Sequence, residues 1–228
     1  YPTYILWFYY NFDTIAFPIQ SCVKSFLKLI QRKRMGNKFF HRNVFCVCIR
    51  RIIMPKSYFP ATQIWKVEFP FLPSDLEQMR TLPQATLDQP WKTAALTAAA
   101  LCVWPTAQDM ATDMLNWLSG PRPLTAYDIQ FIRDRLRGKD YLPRSYFSGA
   151  TPENNYTPVQ PLAVTVIETA HSNDQGAEGY ITLYLDCGGA DSPRPIRLRH
   201  KPSTGQWFLW EQFLLPGIRT PASANPWA

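Results

Sequence analysis

The chain has 228 residues and a net charge of +7, but the charge is unevenly laid out. The first sixty residues hold ten lysines and arginines against one acid, Asp13, a net of +9, so residues 61–228 net to −2. The basic balance therefore describes a leader, and it excludes reading the body as a general polyanion binder.

In the leader, Tyr4 to Phe17 is a nearly uncharged aromatic block and the cations follow it, instead of alternating with rings as stacking on nucleic acid requires. A membrane span needs about 20 consecutive apolar residues, and Tyr4 to Val23 is broken by Asn11, Asp13, Pro18, Gln20 and Ser21. A secretory signal places positive charge before its apolar core, the reverse of this order. We expect residues 1–60 to lie outside the fold, as an over-extended gene start with the true start at Met35 or Met54, or as a basic tail. Cys46 and Cys48 lack a second pair at zinc-finger spacing. Cys102 and Cys187, far apart and each beside apolar residues, read as reduced core cysteines, which implies a reducing, cytoplasmic setting.

Residues 61–228 are long enough for one domain and show no internal repeat. After Pro70 and Pro73, Ser74 caps a short helix carrying Leu76 and Met79 that ends before Pro83. Asp88 and Pro90 open a second helix, Trp91 to Val103, whose alanine-rich centre suits close packing. A third starts at Thr106, with Asp109 at capping-box spacing, and stops at Gly120-Pro121. The fourth begins with Thr125 and Asp128, repeats Ile129, Ile132 and Leu136, and ends at Gly138. Its charged face, Arg133 to Arg137, reads as solvated surface.

A long loop over 139–158 follows, and the period then changes to two. Strands are expected around Leu162–Ile167, Tyr180–Leu185, Ile196–Arg199 and Trp207–Trp210, separated by turns at Asn173–Gly176, Cys187–Gly189 and Pro202–Gly205. The expected class is α+β: a helical N-terminal half of about four helices packed on an antiparallel meander of three to four strands. The order is similar to the cystatin-like and nuclear-transport-factor-like cone, an analogy that carries no function.

Three segments are candidates for function. In the loop, Tyr146, Tyr156, Arg144, Asn154 and Asn155 combine contact area with oriented hydrogen-bond groups suited to a carboxylate or phosphate; alternatively the loop is strapped across the sheet, its polar groups meeting backbone carbonyls. In Gly188 to Pro195 the glycines permit unusual backbone, and Asp191 and Arg194 either pair or hold a ligand. In Trp207 to Phe213, Trp207 and Leu209 share one face and Phe208 and Trp210 the other, with Glu211 as a lone carboxylate.

The motifs Gly120-Pro121-Arg122-Pro123-Leu124, Gly138-Lys139-Asp140-Tyr141, Pro143-Arg144-Ser145-Tyr146-Phe147, Gly149-Ala150-Thr151-Pro152, Asn154-Asn155-Tyr156, Gly189 to Pro195 and Pro226-Trp227-Ala228 resemble a family of uncharacterised bacterial domains found mainly in gut Firmicutes, over about residues 74–228. The resemblance implies membership and no activity.

His171 and His200 sit in neither triad nor metal-ligand spacing, and Ser145 and Ser148 have no nucleophile-elbow context. No cofactor and no metal is expected. The reading that follows is a non-catalytic, cytoplasmic protein-interaction module whose surface joins the loop to the aromatic strand. The expected partner is another protein, with homodimer formation kept open, and neither nucleic acid nor membrane. The alternative is a small-molecule pocket or hydrolase that brings Arg144, Asp191 and Glu211 together in one cavity.

Overall fold

The structure, a computed structural model, describes residues 61–224, and these belong to one compact unit. The expectations for the leader and for the closing Pro226-Trp227-Ala228 lie outside the described residues.

The first element is a strand that the sequence reading passed over, β1 (Ala61–Phe69). Alternation in Ile64-Trp65-Lys66-Val67-Glu68-Phe69 turns Trp65, Val67 and Phe69 toward the core and leaves Ile64, Lys66 and Glu68 exposed. Four more strands follow the helices: β2 (Leu162–Thr169), β3 (Tyr180–Leu185), β4 (Arg194–Lys201) and β5 (Gln206–Gln212). They form one antiparallel sheet in the order β1-β2-β3-β4-β5. The meander thus has five strands where three to four were expected.

Five helices lie in the connection from β1 to β2: α1 (Leu76–Thr81), α2 (Pro90–Val103), α3 (Gln108–Ser119), α4 (Ala126–Leu136) and the single turn α5 (Tyr141–Arg144). The cap of α1 is Asp75, whose carboxylate accepts from the Gln78 amide at 2.8 Å, rather than Ser74. Thr106 does not cap α3; its hydroxyl donates to the Val103 carbonyl at 3.0 Å, and the N-cap position is Ala107. At α4 the Thr125–Asp128 capping box forms as read.

Helix α2 is the centre of the domain. Its stretch Thr93–Leu101 is buried on every side, and it touches all five strands as well as α3 and α5. Ala94, Ala95, Ala98, Ala99 and Ala100 are fully buried, and side chains this small let the helix axis come close to the sheet. Thr93 and Thr97 are tolerated there because both hydroxyls are bonded, to the Trp207 carbonyl at 2.7 Å and the Thr93 carbonyl at 2.8 Å.

The opposite face of the sheet is covered differently. The register sets Tyr180 beside Arg199, Thr182 beside Arg197, and Arg197 and Arg199 beside Glu211 and Phe208. Side chains directly opposite in an antiparallel pair share a face, so aromatics and arginines alternate across β3, β4 and β5. Alternation along β5 puts Trp210 on that face with Phe208, and a bulge between Arg197 and Leu198 sets Glu211 opposite Arg197. The connection after α3 folds round the β5 edge: a Cβ on Gly120 would lie 2.3 Å from the Phe208 ring. No helix of the described residues is long and apolar enough to cross a membrane.

Candidate interaction surface

The loop over 139–158 holds α5 and a 3-10 turn, Pro152–Asn154. Its middle inserts into the sheet. Beyond the pairs Val166–Leu185 and Ile167–Tyr184, β3 departs from β2, and Phe147 bridges to Val164 while the Ser148 amide donates to the Ala163 carbonyl at 2.8 Å. The loop therefore supplies hydrogen bonds that β2 would otherwise lack.

Asn154 organises the turn that follows. Its carbonyl oxygen accepts from the amides of Thr151 (2.9 Å) and Thr157 (3.2 Å), and its amide nitrogen donates to the carbonyls of Gly149 (2.7 Å) and Thr157 (3.0 Å). These bonds hold Asn155 and Tyr156, both left-handed at φ +54° and +55°, a backbone region that costs about 1–3 kcal/mol each and persists where surrounding contacts enforce it.

Most of the remaining candidates grip the chain's own C-terminal segment. Buried Tyr146 donates to the Leu214 carbonyl, Arg194 to the Gly217 carbonyl at 2.6 Å, and buried Tyr156 to the Arg219 carbonyl at 2.7 Å. Asp191 pairs with the Arg219 side chain, and Asn155 accepts from the Ser223 hydroxyl at 2.6 Å and amide at 3.3 Å. Tyr156 also stacks on Tyr141 at 5.3 Å. Arg144 is exposed and donates to the Asp140 carbonyl at 3.3 Å.

Burial raises the phenol of Tyr146 well above the ordinary tyrosine range, and that of Tyr156 likewise. A folded-state value above the unfolded one contributes stability that is complete below the unfolded value and lost as pH rises through the folded one. Stability is therefore expected to fall above about pH 10 by about 1.4 kcal/mol per pH unit for Tyr146. Urea titrations across that range check this: Tyr146→Phe should flatten the slope by that share, and an unchanged slope contradicts it.

The two glycines of Cys187-Gly188-Gly189 are needed for space. Neither has positive φ, but a Cβ on Gly188 would lie 1.7 Å from the Ala150 carbonyl oxygen, and one on Gly189 2.0 Å from the Tyr156 hydroxyl.

Trp210 and Glu211 lie apart from this strap: no hydrogen bond, ion pair or ring contact among the described residues joins them to Arg144, Asn154 or Asn155. Trp210 belongs instead to a cluster on the face of the sheet away from α2. The Arg122 guanidinium lies 4.3 Å and that of Arg199 4.9 Å from the Trp210 ring centre. Arg199 is also 5.1 Å and Arg197 4.4 Å from the Tyr180 ring, which meets Trp210 edge-on at 5.3 Å. Glu211 pairs with Arg197 at 3.7 Å, and Arg197 donates further to Gln175 at 2.5 Å.

Arg122, Tyr180, Arg197 and Arg199 were not singled out from the sequence. The signal was present in the alternation Ile196-Arg197-Leu198-Arg199, but only the strand register shows that the arginines meet Tyr180 and Trp210.

Beside this cluster runs a cleft of about 260 Å³ whose lining includes Arg122, Leu124, Tyr127, Phe131, Trp210 and Phe213. Tyr127 and Phe213 are strongly exposed, at 77% and 48%. A second cleft of about 270 Å³ is lined by Trp104, Gln108, Arg133, Arg137 and Asp140 among others. Neither cleft brings Arg144, Asp191 and Glu211 together. Among the described residues no group of three His, Cys, Asp or Glu is arranged to hold a metal ion. The buried Cys187 thiol donates to the Ser145 hydroxyl at 3.2 Å, and burial pushes the Cys102 thiol up to about 12.

No curated protein and no solved structure matches the chain. The model of one family, described as a domain of unknown function (DUF6935), matches residues 71–222. That span runs from just after β1 to the C-terminal segment held by Tyr146, Arg194 and Tyr156, and the chain belongs to this family.

Proposed function

We propose that the chain is a non-catalytic protein-interaction module that engages its partner at the Arg122–Trp210 corner, where β5 meets the α3–α4 connection. The observation that carries this reading is the assembly of half-buried Trp210, exposed Tyr127, Phe213 and Arg122 around one cleft, with exposed Arg199 against the Trp210 ring. Aromatic and arginine side chains dominate the binding energy of protein interfaces. Of the residues first considered, Trp210 and Glu211 belong to this surface. Arg144, Tyr146, Asn154, Asn155, Tyr156, Asp191 and Arg194 act in the same proposal by holding the scaffold.

A bacterial, cytoplasmic setting belongs to the same reading; its reducing character is supported by Cys102 and Cys187, which form no disulfide with each other. So does a cone of the cystatin or nuclear-transport-factor type, supported by helices packed on an antiparallel sheet. A gut Firmicutes origin rests on motif resemblance alone. The partner is another protein or a second copy of the chain, and neither nucleic acid nor membrane.

Affinity capture from native lysate with the full chain and with Trp210→Ala tests the proposal. The same protein should be recovered by the first and lost by the second, a drop in affinity of about thirtyfold for an anchor worth about 2 kcal/mol. Equal recovery by a folded Trp210→Ala chain excludes this surface. Arg122→Ala serves as the second variant, because its side chain is exposed and makes one backbone hydrogen bond.

A further inference from the structure

The corner holds a charge imbalance that no other described residue corrects. Arg122, Arg197 and Arg199 converge on Trp210 and Tyr180, and the carboxylate paired with this group is Glu211, which faces Arg197. Asp128 lines the neighbouring cleft, but its carboxylate is engaged by the Thr125 amide and hydroxyl at 2.9 and 2.7 Å. Arg122 donates once, to the Trp210 carbonyl at 3.3 Å. The exposed Arg199 guanidinium touches only rings: among the described residues this side chain has no hydrogen bond or ion pair.

Like charges gathered on one ring repel, and cation–π contact at an exposed site returns only about 0.5–1 kcal/mol. What the stacking does accomplish is orientation. A guanidinium held against Tyr180 and Trp210 keeps its planar array of donors in one place, so little side-chain entropy remains to be lost when a carboxylate accepts two of them.

We propose that this corner recognises an acidic polypeptide segment, one carboxylate lying on Arg199 and Arg122 while an adjacent apolar side chain enters the cleft at Tyr127 and Phe213. This deepens the interaction reading above and rests on it. Charge complementarity names the occupant, because among the described residues Arg122 and Arg199 have no carboxylate partner, and they stand beside a cleft whose lining includes Leu124, Tyr127, Phe131 and Phe213, so that the partner must bring both a carboxylate and an apolar side chain. A nucleic-acid strand fits less well. It needs a basic track along its backbone, whereas residues 61–228 are net −2.

Fluorescence anisotropy with the full chain tests the proposal, using a short labelled peptide of glutamates flanking a Leu-Phe pair, its glutamine twin and a labelled oligothymidine. The glutamate peptide should bind in a salt-sensitive manner and the glutamine twin at least about tenfold more weakly, the ratio that about 1.4 kcal/mol produces. Arg199→Ala should cost a similar factor, and Arg199→Lys should restore only part of it, since an ammonium cannot make the planar bidentate contact. Arg199→Glu should transfer preference to the matching lysine peptide.

Equal binding of the two peptides, unchanged binding by Arg199→Ala, or tighter binding of oligothymidine overturns the acidic-segment proposal. If the glutamate peptide fails while Trp210→Ala still loses the captured protein, the acidic chemistry falls and the interaction reading stands. If both fail, both fall. Melting curves accompany each variant, and Arg122→Ala replaces Arg199→Ala if the latter does not fold.

Discussion

Gly188→Ala is expected to cost more than about 4 kcal/mol, a level reached only by a few severe mechanisms and a large part of the 5–15 kcal/mol that holds a typical domain together. Two backbones meet at this glycine. Its amide donates to the Ser145 carbonyl at 2.8 Å, and its missing side chain leaves room for the Ala150 carbonyl, whose oxygen would stand 1.7 Å from an added Cβ and whose carbon 2.9 Å. The obstacle is backbone, so no side-chain rotation relieves it. The β3–β4 turn and the 145–151 loop must part, and the loop's bonds to β2 are strained with them. Urea denaturation measures the effect. Gly176→Ala is the control, because its added Cβ would meet nothing closer than 3.9 Å. A loss below about 1 kcal/mol for Gly188→Ala, inside the usual range for tolerated changes, would show that the loop moves away freely.

Tyr156→Ala should destabilise the domain by about 3–5 kcal/mol, as removal of a large buried aromatic does. Tyr156 is fully buried, stacks on Tyr141 at an interplanar angle of 15°, and its hydroxyl reaches the Arg219 carbonyl at 2.7 Å over the floor left open by Gly189. Tyr156→Phe keeps the ring and loses one hydrogen bond, for about 1 kcal/mol. The two variants separate the roles of the side chain. Limited proteolysis should cut the C-terminal segment after Leu214 readily in the alanine variant and slowly in the phenylalanine variant. If both variants keep the segment protected, Asn155, Asp191 and Arg194 suffice to hold it.

These expectations change the meaning of the residues that first suggested a site. The 139–158 loop combines tyrosines with amide side chains. Strapping and recognition were both considered for it, and the hydrogen bonds of Asn154, Tyr146 and Tyr156 are those of a strap whose partners include the chain's own end. Sequence alone does not distinguish the two, because a buried tyrosine bonded to a carbonyl and an exposed one awaiting a ligand have the same neighbours in the chain. Gly188-Gly189 was read as a need for unusual dihedral angles, whereas the need is for room beside the Ala150 backbone and the Tyr156 hydroxyl, a contact across more than thirty residues.

Local information determined what local physics controls. The helices α2 and α4 and the strands β2 to β5 follow from periodicity, from the Thr125–Asp128 cap and from Gly and Pro at the turns, because these forces act within a few residues. The alternation of β1 was equally legible, but it adjoins the compositional break at residue 60 and was passed over. Tertiary structure alone decided how β1 joins β2 across some ninety residues, why α2 is alanine-rich, and which cations surround Trp210. Cross-strand register brings Arg199 from β4 to Tyr180 from β3 and Trp210 from β5, and the chain reversal after α3 adds Arg122. The candidate surface is a product of strand pairing and of the path of a loop, neither of which is set by the residues adjacent in sequence.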